Sequence, residues 1–298
     1  MKTKNEKAVI VVTDSGFGGL NVLVNAYKLL GEIKIYNEVD LIFYNALPSE
    51  EYGYNQLESM QEKVRIFDIV LEEISDLYSP NSILVACNTL SVVYENSTNK
   101  RVTSLPVKGI VDTGVRLISE GLRANKNSRV IIIGTPTTIG SNSHKNKLIS
   151  LGIEPERMIS IPCYQLESEI QNDPDSEVVS RMIDYCLGEI TNKLSKNDEI
   201  YLALCCTHYE FSFHLFEKYL TEKGLNFEII NPNDFMLEDL KNLKSSKIIN
   251  RTKINLSIVS RTRVKPEDIK TLSTLLSKRC PEAAKAMRGV KYQPPRKH

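Results

Sequence analysis

Short runs of apolar, β-branched residues alternate along this chain with longer segments whose apolar residues recur at helical spacing. Parallel strands need a long crossover connection, usually a helix, so the alternation predicts βαβ units and a mainly parallel α/β sheet. The predicted strands are 9–12, 41–44, 83–86, 130–133, 200–204 and 227–230. The predicted helices are 20–30, 57–77, 114–122, 176–194 and 210–223. Ligands of such sheets bind beyond the carboxyl ends of the strands.

The chain also carries a faint internal repeat. Asp14 and Thr135 each follow a predicted strand and lie 121 positions apart (135 − 14). Cys87 and Cys206 also follow predicted strands, and they lie 119 positions apart (206 − 87). We therefore predict two similar parallel-sheet α/β halves related by a pseudo-two-fold.

The two repeated cysteines suggest a chemistry. Two thiols facing one carbon from opposite sides can racemise it, because one thiolate takes the α-proton while the other thiol returns a proton. A helix N-terminus after each strand would help to ionise the thiol. The residues that follow, Asn88, Thr89 and Thr207, offer short polar groups for a carboxylate. A single cysteine at a strand end is more often a small buried hydrophobe, but the matched pair favours the catalytic interpretation.

The segment Asp14–Gly19 reads Asp-Ser-Gly-Phe-Gly-Gly after the first strand, which is typical of an anion-binding turn before a helix. It lacks the glycine spacing of dinucleotide sites and the lysine of a phosphate loop. Asp14 would repel a phosphate but suits an ammonium, with Ser15 near the carboxylate of a zwitterion. The structural alternative for Asp14 is the N-cap of the next helix, and both roles are compatible.

His208 lies two residues after Cys206 and could orient or polarise that thiol. A zinc site with Cys205, Cys206 and His208 is the alternative. The usual C-x₂₋₄-C ligand spacing is absent, so we predict no metal.

Three motifs together resemble a known family. Asp14–Leu20, Ala86–Ser91 and Cys206–Tyr209 are similar, in order and spacing, to the D-S-G-x-G-G-L, A-C-N-T-x-S and G-C-T-H-Y-P motifs of the glutamate racemases, members of the cofactor-independent aspartate/glutamate racemase superfamily. The resemblance implies two similar α/β domains with the active site in the cleft between them, and neither pyridoxal phosphate nor metal. The first domain would comprise 1–106 plus 231–298, including a basic C-terminal extension, and the second 107–230. It makes Cys87 and Cys206 the base and acid. The residues that it implies for assisting the thiols or binding substrate are Asp14, His208, Ser15, Asn88, Thr89 and Thr207.

Further substrate contacts follow from the same resemblance and from the repeat. The family's P-Y-G turn corresponds to Glu51, Tyr52 and Gly53, and the extra carboxylate of Glu51 puts side-chain specificity in question. The hydroxyls of Thr135 and Thr138, after the repeated strand, are candidate substrate contacts.

Other departures concern the second thiol. Cys205 replaces the family's glycine, and a Cys205–Cys206 disulfide would silence the site. Glu210 replaces a proline. Either Glu167 or Glu169 could match the family's second-half glutamate, and the sequence does not choose between them.

Charge is distributed unevenly along the chain. Residues 250–298 contain 13 of the 38 Lys and Arg but 3 of the 37 Asp and Glu. A solvated basic face is the favoured interpretation, and contact with nucleic acid is the less favoured one. Arg251, Arg261, Arg263 and Lys265 should form a patch on the first domain, away from the cleft. The last residues, 292–298, are predicted to be disordered.

The resemblance therefore implies an isomerase that interconverts L- and D-glutamate and supplies D-glutamate for peptidoglycan, cell-wall biogenesis and cell shape. An aspartate or other acidic amino-acid racemase is one alternative, and a catalytically weak binding protein is another. A polar N-terminus, six cysteines too few for a disulfide scaffold, and the lack of a long apolar run predict a cytoplasmic protein without membrane contact. A homodimer is left open.

Overall fold

The computed structural model describes residues 7–194, 198–238 and 249–296. The chain divides into two compact units. Unit 1 runs from the N-terminus to Gly109 and resumes at Asp234, and unit 2 is Ile110–Asn233. The sequence-based divisions, after 106 and 230, lie three residues earlier at each point (109 − 106 and 233 − 230).

Regular secondary structure covers most of the described chain. The strands are β1 Lys7–Asp14, β2 Glu38–Asn45, β3 Ser82–Val85, β4 Val107–Gly109, β5 Arg129–Gly134, β6 Met158–Pro162, β7 Glu199–Cys205, β8 Asn226–Ile230, β9 Lys253–Ser260 and β10 Lys291–Tyr292. The α-helices are α1 Leu20–Ile33, α2 Met60–Tyr78, α3 Asn88–Glu95, α4 Lys100–Thr103, α5 Val111–Ala124, α6 Pro136–Gly140, α7 Ser143–Ser150, α8 Leu166–Asn172, α9 Glu177–Thr191, α10 Phe213–Glu222, α11 Pro266–Ser277 and α12 Pro281–Arg288. Short 3₁₀ helices include Tyr54–Gln56 and Thr207–Ser212.

Each unit is built on one parallel sheet. In unit 1 the strand order is β10-β9-β2-β1-β3-β4, and in unit 2 it is β6-β5-β7-β8. Every strand pair is parallel. The α/β class with parallel sheets, predicted from the alternation of strands and helices, is confirmed.

The internal repeat is visible in the strand order. Unit 1 contains the sequence β2-β1-β3-β4, and unit 2 contains β6-β5-β7-β8, so each unit's first strand lies between its second and third. β1 therefore corresponds to β5, and β3 corresponds to β7. Asp14 ends β1 and Thr135 follows β5, while Cys87 and Cys206 lie just beyond β3 and β7. The near-equal offsets in sequence, 121 and 119 positions, thus reflect equivalent positions in two sheets in which these four strands have the same order.

Each sheet buries its apolar face against helices. In unit 1, β1–β3 pack on α2 through a core that includes Val11, Val85, Phe67 and Ile74. In unit 2, β5 and β7 pack on α9 and α10 through a second core that includes Phe216. The helix termini follow local rules, since the Ser59 hydroxyl caps α2 by accepting from Glu62 N–H, and α11 and α12 begin with proline.

The C-terminal region differs from its prediction. Residues 292–296 are ordered and include part of β10, which extends the sheet beside β9, with Tyr292 opposite Ser260. Residues 297–298 lie outside the described residues. Arg261 is not part of a solvated patch, because it is 5% exposed and pairs with Glu73. In the three described ranges, every helix is too short or too polar to cross a bilayer.

Candidate active site

The first thiol, Cys87, lies between β3 and α3. It is the N-cap of α3, where its sulfur accepts a hydrogen bond from Leu90 N–H at 3.4 Å. The Ser15 hydroxyl is 3.1 Å from Cys87 Sγ. Burial, together with the negative charge of Asp14, raises the pKa of Cys87 to about 12. In the protein as it stands, Cys87 is therefore a neutral thiol at neutral pH.

The loop from Asp14 to Gly19 brings a carboxylate next to this thiol. Asp14 is 1% exposed, and its Oδ1 accepts from Gly16 N–H at 3.1 Å. A Cβ at Gly19 would lie 2.8 Å from Asp14 Oδ2 and 3.0 Å from Ala86 Cβ, so the backbone approach requires glycine. The N-cap of α1 is Gly19, without a side-chain cap. The proposed N-cap role for Asp14 is wrong, because its carboxylate turns back onto its own loop.

The side-chain amide of Asn88, just beyond β3, is buried without hydrogen-bond partners among the described residues. The residue is 2% exposed, and neither Oδ1 nor Nδ2 has a partner within the part of the chain that the structure describes. A buried amide left unpaired costs about 1–3 kcal/mol. Its two donors and one acceptor match the carboxylate and ammonium of an amino acid.

The loop between β2 and α2, residues 46–59, which we call the β2–α2 loop, carries Tyr52 and Gly53. Tyr52 is 42% exposed, and Gly53 N–H donates to Gln56 Oε1 at 2.7 Å. Glu51 is also exposed, so its carboxylate is not held inside unit 1. The buried member of the loop is Tyr54, which packs in the same core cluster as Cys87. Burial raises the pKa of Tyr54, and the neighbouring Cys87 adds to that rise.

The second thiol, Cys206, follows β7 in unit 2. Its side chain belongs to the core cluster that also contains Leu202 and Leu204. Cys205 is fully buried but outside that cluster, as expected if alternate residues of a strand point to opposite faces. Burial raises the pKa of Cys205 to about 12. All six cysteines are free thiols, including these two.

His208 connects the second thiol to α8. Its Nδ1 is 3.9 Å from Cys206 Sγ, and its Nε2 is 3.1 Å from Gln171 Oε1. An amide oxygen only accepts, so with Oε1 at this position Nε2 carries the proton. Nδ1 is then the unprotonated ring nitrogen, 3.9 Å from Cys206 Sγ. Gln171 thus selects the His208 tautomer able to take a proton from Cys206.

The threonines of unit 2 lie at the same edge of its sheet. Thr135 caps α6 and accepts from Thr138 N–H at 3.3 Å, and the two hydroxyls are 3.1 Å apart. Thr207 is 1% exposed, and its carbonyl accepts from Asn233 Nδ2 at 3.2 Å. A Cβ at Gly134 would lie 2.9 Å from the Cys205 carbonyl oxygen, which explains the glycine at the end of β5, just before the Thr135 turn.

The other residues that were compared with the family's motifs, Glu210 and Glu167, also lie in unit 2. Glu210 Oε2 accepts from Asn233 Nδ2 at 2.9 Å, so this carboxylate is held within the turn that follows Cys206. Glu167 has a buried Oε2 atom and adds to the raised pKa of Tyr209. It is also one helical turn before Gln171, on the same face of α8. These contacts favour Glu167 over Glu169 as the glutamate near the second thiol.

Sequence reasoning missed two neighbours of the thiols, Gln171 and Tyr54. Gln171 had a usable signal, since it lies four residues after the candidate Glu167, which is the spacing of one helical turn. Tyr54 had none, because its burial depends on how the β2–α2 loop folds back. In the described ranges, no group of three or more His, Cys, Asp or Glu side chains is arranged to hold a metal ion.

A cysteine lies just beyond the equivalent strand of each of the two parallel sheets, and polar residues follow each cysteine. The curated proteins to which the chain is similar are named glutamate racemases. The chain is 26% identical over 234 residues to the glutamate racemase of Campylobacter jejuni, covering 78% of this chain and 84% of that protein. It is 27% identical over 248 residues to that of Fusobacterium nucleatum, covering 82% and 84%.

Solved structures agree on the fold. The glutamate racemase of Francisella tularensis, crystallised with D-glutamate, superposes with a TM-score of 0.69 at 21% identity, covering 91% of this chain and 94% of that one. No protein-family model matches the chain. The predicted resemblance to the glutamate racemases is confirmed in sequence by the curated relatives and in fold by the solved structure.

Proposed function

We propose that this protein is a glutamate racemase, an isomerase that interconverts L- and D-glutamate with two cysteines. The observation that carries the proposal is the equivalent placement of Cys87 and Cys206 beyond β3 and β7, in a chain similar in sequence and fold to named glutamate racemases. Racemisation needs one proton acceptor and one donor on opposite faces of the α-carbon. The proposal therefore requires both thiols to reach one substrate.

The environments of the two thiols suggest their resting states. Cys87 is protonated, because burial and Asp14 oppose its ionisation. Cys206 faces the acceptor nitrogen of His208 and is the better candidate for the resting thiolate. In one direction Cys206 removes the α-proton and Cys87 donates its own to the opposite face, leaving Cys87 as thiolate and Cys206 as thiol. The reverse direction starts from that state.

Substrate binding would itself prepare Cys87 for this exchange. An ammonium beside Asp14 offsets the carboxylate charge that raises the Cys87 pKa, so it makes the thiolate more accessible. The unpaired Asn88 amide supplies donors for the substrate carboxylate and an acceptor for the ammonium. Thr89, at the N-terminus of α3, presents a backbone N–H and a hydroxyl to the same carboxylate. Ser15, Thr135, Thr138 and Thr207 complete the proposed substrate contacts, with Tyr52 and Gly53 on the β2–α2 loop.

The decisive experiment is exchange of the α-proton in D₂O. Single enantiomers of glutamate and aspartate are incubated with the protein, and deuterium at the α-carbon and optical rotation are followed. We expect both to change with glutamate. Cys87→Ser and Cys206→Ser should each abolish racemisation, because a serine hydroxyl is too basic to ionise at neutral pH. Cys280→Ser, a buried cysteine at the start of α12, is the matched control.

The outcomes separate the alternatives. Exchange with aspartate alone would make the chain an aspartate racemase. Binding of glutamate without exchange would make it a weak relative acting as a binding protein. Racemisation that persists in either thiol variant would end the two-cysteine mechanism. The proposed role in peptidoglycan synthesis and the cytoplasmic location rest on the resemblance and on the free thiols. Sedimentation measures whether the protein is a homodimer, which the sequence leaves open.

A further inference from the structure

A buried ion pair at the edge of the unit 1 sheet has no part in the mechanism above. Glu73 on α2 and Arg261 just after β9 are 2% and 5% exposed. Arg261 Nε is 3.0 Å from Glu73 Oε2, and its Nη2 donates to Oε1 at 3.4 Å. Tyr44 OH donates to Oε2 at 3.3 Å. Buried pairs are costly to desolvate and give little net stability, so their presence calls for another explanation.

The C-terminal segment Lys291–Arg296, which we call the strap, closes over this pair. The backbone N–H of Arg296 donates to Glu73 Oε1 at 2.9 Å, and its guanidinium is 2.6 Å from Asp76 on the same helix. Gln293 N–H donates to the carbonyl of Ser260 at 2.8 Å. The strap is therefore fixed at both ends, on α2 and on the last residue of β9.

The turn after β9, residues 260–263, is hydrogen-bonded to the end of β2 and to the β2–α2 loop. Ser260 Oγ accepts from Asn45 Nδ2 at 3.1 Å, and Arg261 N–H donates to the Asn45 carbonyl at 3.2 Å. Arg263 N–H donates to Glu50 Oε1 at 3.0 Å. The Arg263 guanidinium in turn stacks on the strap, 5.0 Å from the ring centroid of Tyr292. One turn thus holds the loop on one side and the strap on the other.

The loop held in this way is the one that carries Tyr52 and Gly53. Its buried residues Tyr54 and Leu57 pack in the core cluster that contains Cys87 and Val259 of β9. The position of the loop beside the thiol therefore depends on the β9 end as well as on its own packing.

We propose that Arg261 is a positioning residue for the β2–α2 loop, and that the strap holds the 260–263 turn and Glu73 in place. We call Arg261, Glu73 and the strap together the brace. The inference rests on the proposed function in one respect, that the β2–α2 loop contacts the substrate. It gives the basic C-terminal extension a role within unit 1.

The test removes the strap from the full-length protein. A chain ending at Val290 should bind glutamate more weakly, with KM raised about tenfold and kcat changed less than about twofold, since the thiols are untouched. Hydrogen exchange of residues 46–57 should increase selectively. A chain ending at Arg296 is the length control, and Arg288→Ala, exposed on α12, is the charge control.

A milder pair of variants covers the case in which truncation prevents folding. Tyr292→Ala should raise KM about two- to fivefold by removing the stacking surface for Arg263, while Tyr292→Phe should restore the parent value. Arg261→Lys keeps a charge beside Glu73 but cannot pair with both oxygens, so it should reproduce the KM effect.

The outcomes are separable from those of the proposed function. Faster exchange confined to residues 46–57 supports the brace even if the parent protein proves inactive on glutamate. Unchanged exchange of the loop and unchanged KM in the truncated chain would overturn it. Faster exchange spread evenly through unit 1 would also overturn it, because the strap would then only stabilise the fold.

Discussion

The electrostatic setting of Cys87 makes a sharp prediction, because two neighbours act on its pKa in opposite directions. The Asp14 carboxylate raises that pKa, and the Ser15 hydroxyl, 3.1 Å from the sulfur, lowers it. Asp14→Asn should therefore make the thiol more acidic, and Ser15→Ala should make it less acidic. Asp14→Asn is nearly isosteric, Ser15→Ala removes only the hydroxyl that contacts the sulfur, and both leave the Cys87 side chain itself unchanged.

The magnitude follows from the structure. With a pKa of about 12, Cys87 is ionised in roughly one molecule in 10⁴ at pH 8, against about one in four for an ordinary cysteine. A hydrogen bond to a charged group contributes about 1.5–3 kcal/mol, part of which the neutral thiol also gains. Ser15→Ala should therefore raise the pKa by about one unit and slow alkylation about tenfold. Asp14→Asn should speed alkylation by a comparable factor.

The assay is the rate of iodoacetamide modification, followed residue by residue by peptide mass spectrometry between pH 7 and 10. Only the thiolate reacts, so the rate at fixed reagent reports ionisation. Cys280, 3% exposed in the same unit, serves as the internal reference for opening of the fold. If both variants change the Cys87 rate in the same direction, access to the sulfur and not its charge environment controls reactivity, and the electrostatic reasoning fails.

Three further predictions test other parts of the structure. Gly19→Ala should lower the free energy of unfolding by about 1–3 kcal/mol in urea, because the new methyl meets Asp14, whereas Gly31→Ala, with nothing within 4 Å, should raise it by about 0.5–1 kcal/mol. Burial lowers the pKa of His144 to about 4, so the neutral imidazole contributes about 3 kcal/mol to the free energy of unfolding above pH 6.5, and this contribution is lost as pH falls through 4. His144→Gln should flatten that part of the plot of stability against pH. An unchanged plot would contradict the assignment. DNA binding by the basic C-terminal region should be weak and fall steeply with added salt, whereas tight binding at moderate salt would reveal a nucleic-acid partner.

Much of the architecture was accessible from local sequence patterns. Five of the six predicted strands fall within observed ones, and the sixth, 83–86, runs one residue past the end of β3, because a buried parallel strand is a short run of apolar residues bounded by polar turns. The repeat of Asp14 with Thr135 and of Cys87 with Cys206 predicted equivalent strand ends, and the two sheets have the matching order. These inferences succeeded because they depend on spacing along the chain, which the sequence states directly.

The contacts that tune the site were not accessible in that way. The bond from His208 to Gln171 joins residues 37 positions apart, and the pair of Glu73 with Arg261 joins residues 188 apart. Arg261 was predicted to be solvated, since an arginine in a basic stretch usually is. No local pattern signals that a distant carboxylate will bury it, because that pairing is set by which strands become neighbours. The sequence determined which residues end the strands. The tertiary structure decided which side chains surround each thiol, and those neighbours set its ionisation.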